Sequence, residues 1–145
     1  MDYKFYGSDT PSVSPIKKEF SKITDQRHLY ELLNDLWCRQ TCAPRMQEQW
    51  SKSNKTKGQC SITAFLFQDI FGGEVYGIEL HDGSYHCFNK IDDVVFDLTS
   101  EQFGNIVLNY NNAVLQKRDD HFSKFEKFRR YLYLKTLLRE KLQTL

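Results

Sequence analysis

Over 25–37 apolar residues fall at helical spacing, with Leu29, Leu32, Leu33, Leu36 and Trp37 on one face. Thr24 and Asp25 are both suited to cap its start. Pro44 keeps this helix from running on and suits the first position of a short second one, on which Gln47 and Trp50 share a face. Gln47 and Trp50 read either as a capping turn and a core tryptophan or as the wall of a substrate cleft. The stretch 51–57 is polar, with three lysines, and predicts a solvated loop. Helical spacing resumes at once over 60–71, burying Ile62, Phe65, Leu66 and Ile70, and Gly72-Gly73 stops it.

Strand patterns follow over 74–80, 84–91 and 94–98. Asp82-Gly83 sits at the centre of the first turn, and Asp92-Asp93 forms the second. Alternation puts His86 and Phe88 on one face of the middle strand and Tyr85, Cys87 and Asn89 on the other. A two-residue loop at Asp92-Asp93 sets Phe88 opposite Asp97 and His86 opposite Thr99. His86 and Asp97 then become diagonal neighbours on one face, whereas an odd loop would separate them. Thr99 with Gln102 predicts a capping box on a short helix closed by Phe103. The Asn-rich stretch 104–118, with apolar Ile106, Val107, Leu108 and Tyr110, fits either a strand or a helical turn. A last helix is predicted over 120–142. Its stripe is Phe122, Phe125, Phe128, Leu132, Leu134, Leu137, Leu138 and Leu142, opposite a basic face from Lys124 to Lys141.

Residues 1–22 mix aromatics with Pro11, Pro15 and serines and read as an N-terminal arm. Residues 23–145 read as a single domain of α+β class. In it, N-terminal helices and the 60–71 helix pack on a small antiparallel sheet beside a long C-terminal helix. Hydrophobic residues are 40% of the 145, enough for one core. The net charge of +1 gives no reason to expect nucleic acid, and a solvated surface is the expectation for the basic face. No apolar run approaches the roughly 20 residues of a membrane span. The N-terminus lacks a signal-peptide profile, so no membrane partner and a cytoplasmic location are expected.

The chemistry collects at Gly58-Gln59-Cys60. A thiol at the first turn of a helix feels unpaired backbone N–H groups and the positive end of the dipole, both of which favour thiolate. His86 and Asp97 supply the remaining parts of a nucleophile, base and orienter. The oxyanion is expected on the Cys60 backbone N–H plus one side-chain amide, Gln59 or Gln47. Asn89 faces away from His86 and reads as structural support, while His28, His81 and His121 read as surface or turn residues. Cys38 and Cys42, three residues apart, with Cys60 or Cys87, could form a zinc set; ordinary reduced thiols are the stronger expectation, and no metal or cofactor is assigned.

Five blocks in order resemble the YunG-like family of small bacterial proteins: Gly58-Gln59-Cys60; Gln68-Asp69 with Phe71-Gly72-Gly73; His86 with Asn89; Asp97-Leu98-Thr99 with Gln102-Phe103; and, upstream, Thr41-Cys42, Pro44, Gln47 and Trp50. The resemblance covers about 37–104 and carries no activity with it. A second likeness is to the papain and transglutaminase-like architecture. Gly58-Gln59-Cys60 is similar to the transglutaminase nucleophile motif, and Cys60, His86 and Asp97 stand in that fold's order of helix start, strand, next strand. Ser61 stands where transglutaminases usually carry tryptophan, and the chain is much shorter. What the likeness implies is therefore a cysteine-hydrolase core acting on a peptide, an isopeptide or a glutamine side chain. A non-catalytic protein-binding module on the same fold and a small zinc protein are the alternatives.

Overall fold

The computed structural model describes residues 2–145. Helix α1 (Gln26–Asn34) is capped by Asp25, whose Oδ1 accepts the His28 N–H at 2.9 Å. It ends before Trp37, because Asn34-Asp35 are poor helix formers and the chain turns there. Trp37 stays buried by its own route, with its indole N–H donating to Thr63 Oγ1 at 3.0 Å. A 3-10 turn over Pro44–Gln49 starts on the proline, as the sequence predicts.

Helix α2 (Cys60–Phe71) is the centre of the molecule. Thr63, Ala64, Phe67, Asp69 and Phe71 are buried as well as the four expected positions, so it is covered nearly all round. Beside it, among the described residues, lies a four-stranded antiparallel sheet in the order β3-β2-β1-β4. Its strands are β1 (Glu74–Glu79), β2 (Tyr85–Ile91), β3 (Val94–Phe96) and β4 (Val114–Leu115). Asn89 pairs with Phe96 and Ile91 with Val94, the register a two-residue loop dictates. Asp92 supplies that loop's left-handed residue, φ 54°. The ambiguous 104–118 stretch contributes β4 against β1.

The sheet face carrying Cys87, Asn89 and Phe96 packs on α2. Asn89 donates to the Ala64 carbonyl at 2.8 Å, and the Phe67 and Phe96 rings lie 5.3 Å apart. His86 therefore projects from the opposite face.

The C-terminal part is two helices, α3 (Arg118–Phe122) and α4 (Phe125–Gln143), with a break at Ser123-Lys124. The break shifts the helical phase. The buried stripe of α4 is Tyr131, Leu134, Leu138 and Leu142, while Phe125, Phe128 and Leu132 are exposed. Much of the expected basic face is engaged internally: Arg130 donates to the Thr41 carbonyl at 3.0 Å, Lys135 reaches Asp69 at 3.3 Å and Lys141 reaches Asp35 at 3.4 Å. Among the described residues no helix is long and apolar enough to cross a membrane.

Residues 2–22, expected as an arm, lie tied to the domain. Phe5 and Phe20 are buried in the core, and the Ile16 N–H donates to the Ile70 carbonyl at 2.7 Å. Tyr6 bridges Asp97 just beyond the end of β3, its carbonyl accepting the Asp97 N–H at 2.9 Å.

Candidate functional site

Gly58 sets the approach to α2. Its φ is +71°, and a Cβ there would stand 2.5 Å from the Cys42 sulfur, so only glycine fits this close crossing. Cys60 follows as the first residue of α2, and no side chain caps that helix end. The free first-turn amides and the dipole therefore act on the thiol.

The sheet explains how an imidazole from the face away from α2 meets a sulfur carried by α2. Ser84 accepts from the Leu80 N–H at 2.7 Å, and Ile78 pairs with His86. Alternation along an antiparallel strand then turns the Tyr85 carbonyl and the Cys87 N–H away from β1. β3 covers only Asn89, Lys90 and Ile91, so this edge of β2 is open at Tyr85, His86 and Cys87. Cys60 occupies the open edge, with its Sγ 3.9 Å from the Tyr85 carbonyl. From the edge it is reached by His86 on one face and Cys87 on the other.

His86 and Asp97 are each 1% exposed, and the ring Nε2 lies 2.7 Å from Asp97 Oδ2. The other nitrogen, Nδ1, is buried without a hydrogen bond of its own. The Tyr110 hydroxyl donates to the same Asp97 oxygen at 2.8 Å, and the Tyr6 ring packs 4.4 Å from Tyr110. Phe103 covers the imidazole edge-on at 4.7 Å. Burial pulls the His86 pKa down, but the charge and hydrogen bond of Asp97, with help from Cys60, outweigh it and raise it to about 10. The Cys60 thiol is held well below its ordinary value. The neighbouring Cys87 thiol, and after it the nearby His86 ring and its charge, favour the thiolate and together outweigh burial. Cys87 moves the opposite way, raised by the neighbouring Cys60 and by burial. Burial and the Asp97 charge likewise push the Tyr110 hydroxyl up. The Cys60 and His86 shifts run in opposite directions, both toward a thiolate and an imidazolium, and Asp97 holds the ring.

The amides expected to complete an oxyanion site are engaged elsewhere. Gln59 is fully buried and donates to the Cys38 carbonyl at 3.0 Å. Gln47 donates to the Cys42 carbonyl at 3.3 Å, and Trp50 to the Lys55 carbonyl at 3.0 Å. All three brace the loops that lead into α2. Gln102 makes no capping box; it accepts weakly from the Gly58 N–H at 3.5 Å and donates to the Thr99 carbonyl at 3.0 Å, tying that loop to the Asp97 segment.

A cleft of about 900 Å³ opens over Cys60, His86 and Cys87. Its far wall holds His121, which is half-buried rather than on the open surface, with its ring 4.9 Å from that of Phe65. Burial, then the nearby Lys127, hold His121 neutral, with a pKa lowered to about 4. Tyr110, Cys87 and His121 are the groups sequence reasoning missed or misplaced. Parity alone set Cys87 facing away from His86, but at an open strand edge both faces reach one sulfur. Among the described residues no three Cys, His, Asp or Glu side chains converge as metal ligands.

A family model described as YunG protein matches residues 25–143. The chain is 37% identical over 76 residues to a Bacillus subtilis (strain 168) protein named "Uncharacterized protein YunG", an alignment that covers 52% of this chain and 61% of that relative. No solved structure matches. The chain belongs to the YunG family.

Proposed function

Taking that membership as the premise, we propose that the chain is a thiol-dependent acyl-transfer enzyme of cysteine peptidase, amidase or deamidase type, built on a reduced papain and transglutaminase-like core. The observation that carries this reading is the sulfur at the open edge of β2, beside an imidazole whose far nitrogen is held by Asp97 at 2.7 Å.

In this scheme the Cys60 thiolate attacks the substrate carbonyl carbon and an S–C bond forms. Negative charge moves to the carbonyl oxygen, which takes the first-turn amide of α2 at Cys60 as a donor. His86 gives its proton to the leaving nitrogen as the C–N bond breaks, leaving a thioester on Cys60. Water or an amine then attacks, His86 takes its proton, and the acyl group departs with the thiolate restored. Asp97 holds the ring and stabilises its cationic form, and Tyr110 fixes the carboxylate. Peptide, isopeptide or glutamine amides all fit this chemistry.

Site-resolved alkylation of Cys60 with iodoacetamide at neutral pH tests the reading. Fast modification that falls by roughly a hundredfold in His86→Ala supports it. Slow modification, indifferent to that change, would instead make the chain a non-catalytic binding module.

A further inference from the structure

Charge around the cleft is uneven. Lys57, Lys117, Lys124 and Lys127 line it, and none makes an ion pair among the described residues. Arg45 and Arg130 also line it, but Asp82 and Glu126 respectively pair with them. Asp120 is the lining carboxylate without such a partner. A chain with a net charge of only +1 thus gathers an uncompensated positive field over its thiol.

The cations stand on two walls. Lys57 immediately precedes Gly58 on the loop that enters α2, while Lys124 and Lys127 stand at the start of α4. Lys127 is half-buried, and burial first, then the neighbouring Lys124 charge, pull its pKa down. On the same wall the Nε2 atom of His121 is buried with no partner. A neutral imidazole there has an unused hydrogen-bonding site.

We propose that this site takes an acidic peptide, whose carboxylate beside the scissile carbonyl is held by Lys57 on one wall and by Lys124 and Lys127 on the other. The proposal rests on the reading of Cys60 as nucleophile and adds the substrate class.

Two alkylating agents of nearly equal size read the field directly. Iodoacetate is an anion and iodoacetamide is neutral; each forms an S–C bond to Cys60 and releases iodide. The ratio of their rates at Cys60, divided by the same ratio for glutathione, is measured by mass spectrometry at increasing salt. Because the imidazolium itself attracts an anion, the lysine variants carry the assignment. The expected ratio is roughly tenfold above that of glutathione at low salt and falls as salt is added. It drops several-fold in Lys124→Gln/Lys127→Gln and recovers in Lys124→Arg/Lys127→Arg. A ratio equal to that of glutathione, or one that the glutamine pair leaves unchanged, overturns the proposal. The salt series on the unaltered protein adds a check that needs no variant: a ratio indifferent to salt also overturns the proposal. Failure of the nucleophile reading looks different: both reagents are slow at Cys60 and indifferent to His86→Ala, whatever their ratio.

Discussion

Two buried aspartates face each other across the logic of this fold. Asp69, on α2, is met by the Arg118 guanidinium at 2.7 Å, the Lys135 ammonium at 3.3 Å and the Tyr131 hydroxyl. Asp97, past β3, is met by the His86 ring at 2.7 Å and the Tyr110 hydroxyl at 2.8 Å. Both carboxylates accept a tyrosine and a cationic partner. The difference lies in the cations. Arginine and lysine keep their charge at any working pH, so Asp69 is a fixed clamp joining α2 to α3 and α4. Histidine can give its proton away, so Asp97 holds a group that changes state. The same residue type therefore serves cohesion at one end of α2 and, in the proposed function, chemistry at the other.

Substitutions at each end should separate the two roles. Asp69→Ala removes the carboxylate shared by the partly exposed Arg118 and Lys135 and by the buried Tyr131 hydroxyl, and should cost about 1–3 kcal/mol of stability in urea unfolding. The folded fraction should alkylate at Cys60 as before, and a large loss of Cys60 reactivity would merge the two sites. His86→Ala should do the reverse, lowering the Cys60 alkylation rate by roughly a hundredfold.

Stability against pH sharpens the contrast. The His86 pKa is about 10 in the fold and 6.5 without it, so its contribution is complete below 6.5 and is lost as pH rises through about 10. The Cys60 pKa is depressed from 9.0, so its contribution is present above 9.0 and is lost as pH falls through its folded value. Between 6.5 and 9.0 the folded and unfolded forms of this pair each hold one proton. The pair's contribution is then level across that window and falls from about 9 to about 10. Unfolding curves of the unaltered protein minus those of His86→Ala should trace this shape, and a steady slope from 6.5 upward would mean the thiol is not ionised in the fold. The smallest effect is expected from Tyr110→Phe. It removes one hydrogen bond from Asp97, costs about 1 kcal/mol and slows alkylation less than tenfold.

What the sequence discloses and what it hides divide along physical lines. The register of β2 on β3 is legible because a two-residue turn fixes parity, and parity carries His86 to the side of Asp97. Position at a helix start is legible for Cys60 because glycine and a polar loop precede an apolar run. Tyr110 is hidden because its stretch, 104–118, has no periodicity that sets a direction. The open edge of β2 is hidden too, since no local pattern tells that β3 stops at Phe96 and that Tyr6 takes over at Asp97. The α4 stripe runs out of phase with the sequence pattern because Ser123-Lys124 breaks one apparent helix into two. Gln47 and Gln59 have the right chemistry for an oxyanion donor, yet backbone carbonyls of neighbouring loops engage their amides first.

The most direct test is the ultraviolet absorbance of the Cys60 thiolate, taken as the difference between the unaltered protein and Cys60→Ser across a pH titration. An ion pair with His86 predicts a thiolate signal that persists well below the ordinary cysteine pKa and disappears near neutral pH in His86→Ala. A signal that rises only around 9.0, the same in both backgrounds, would contradict it.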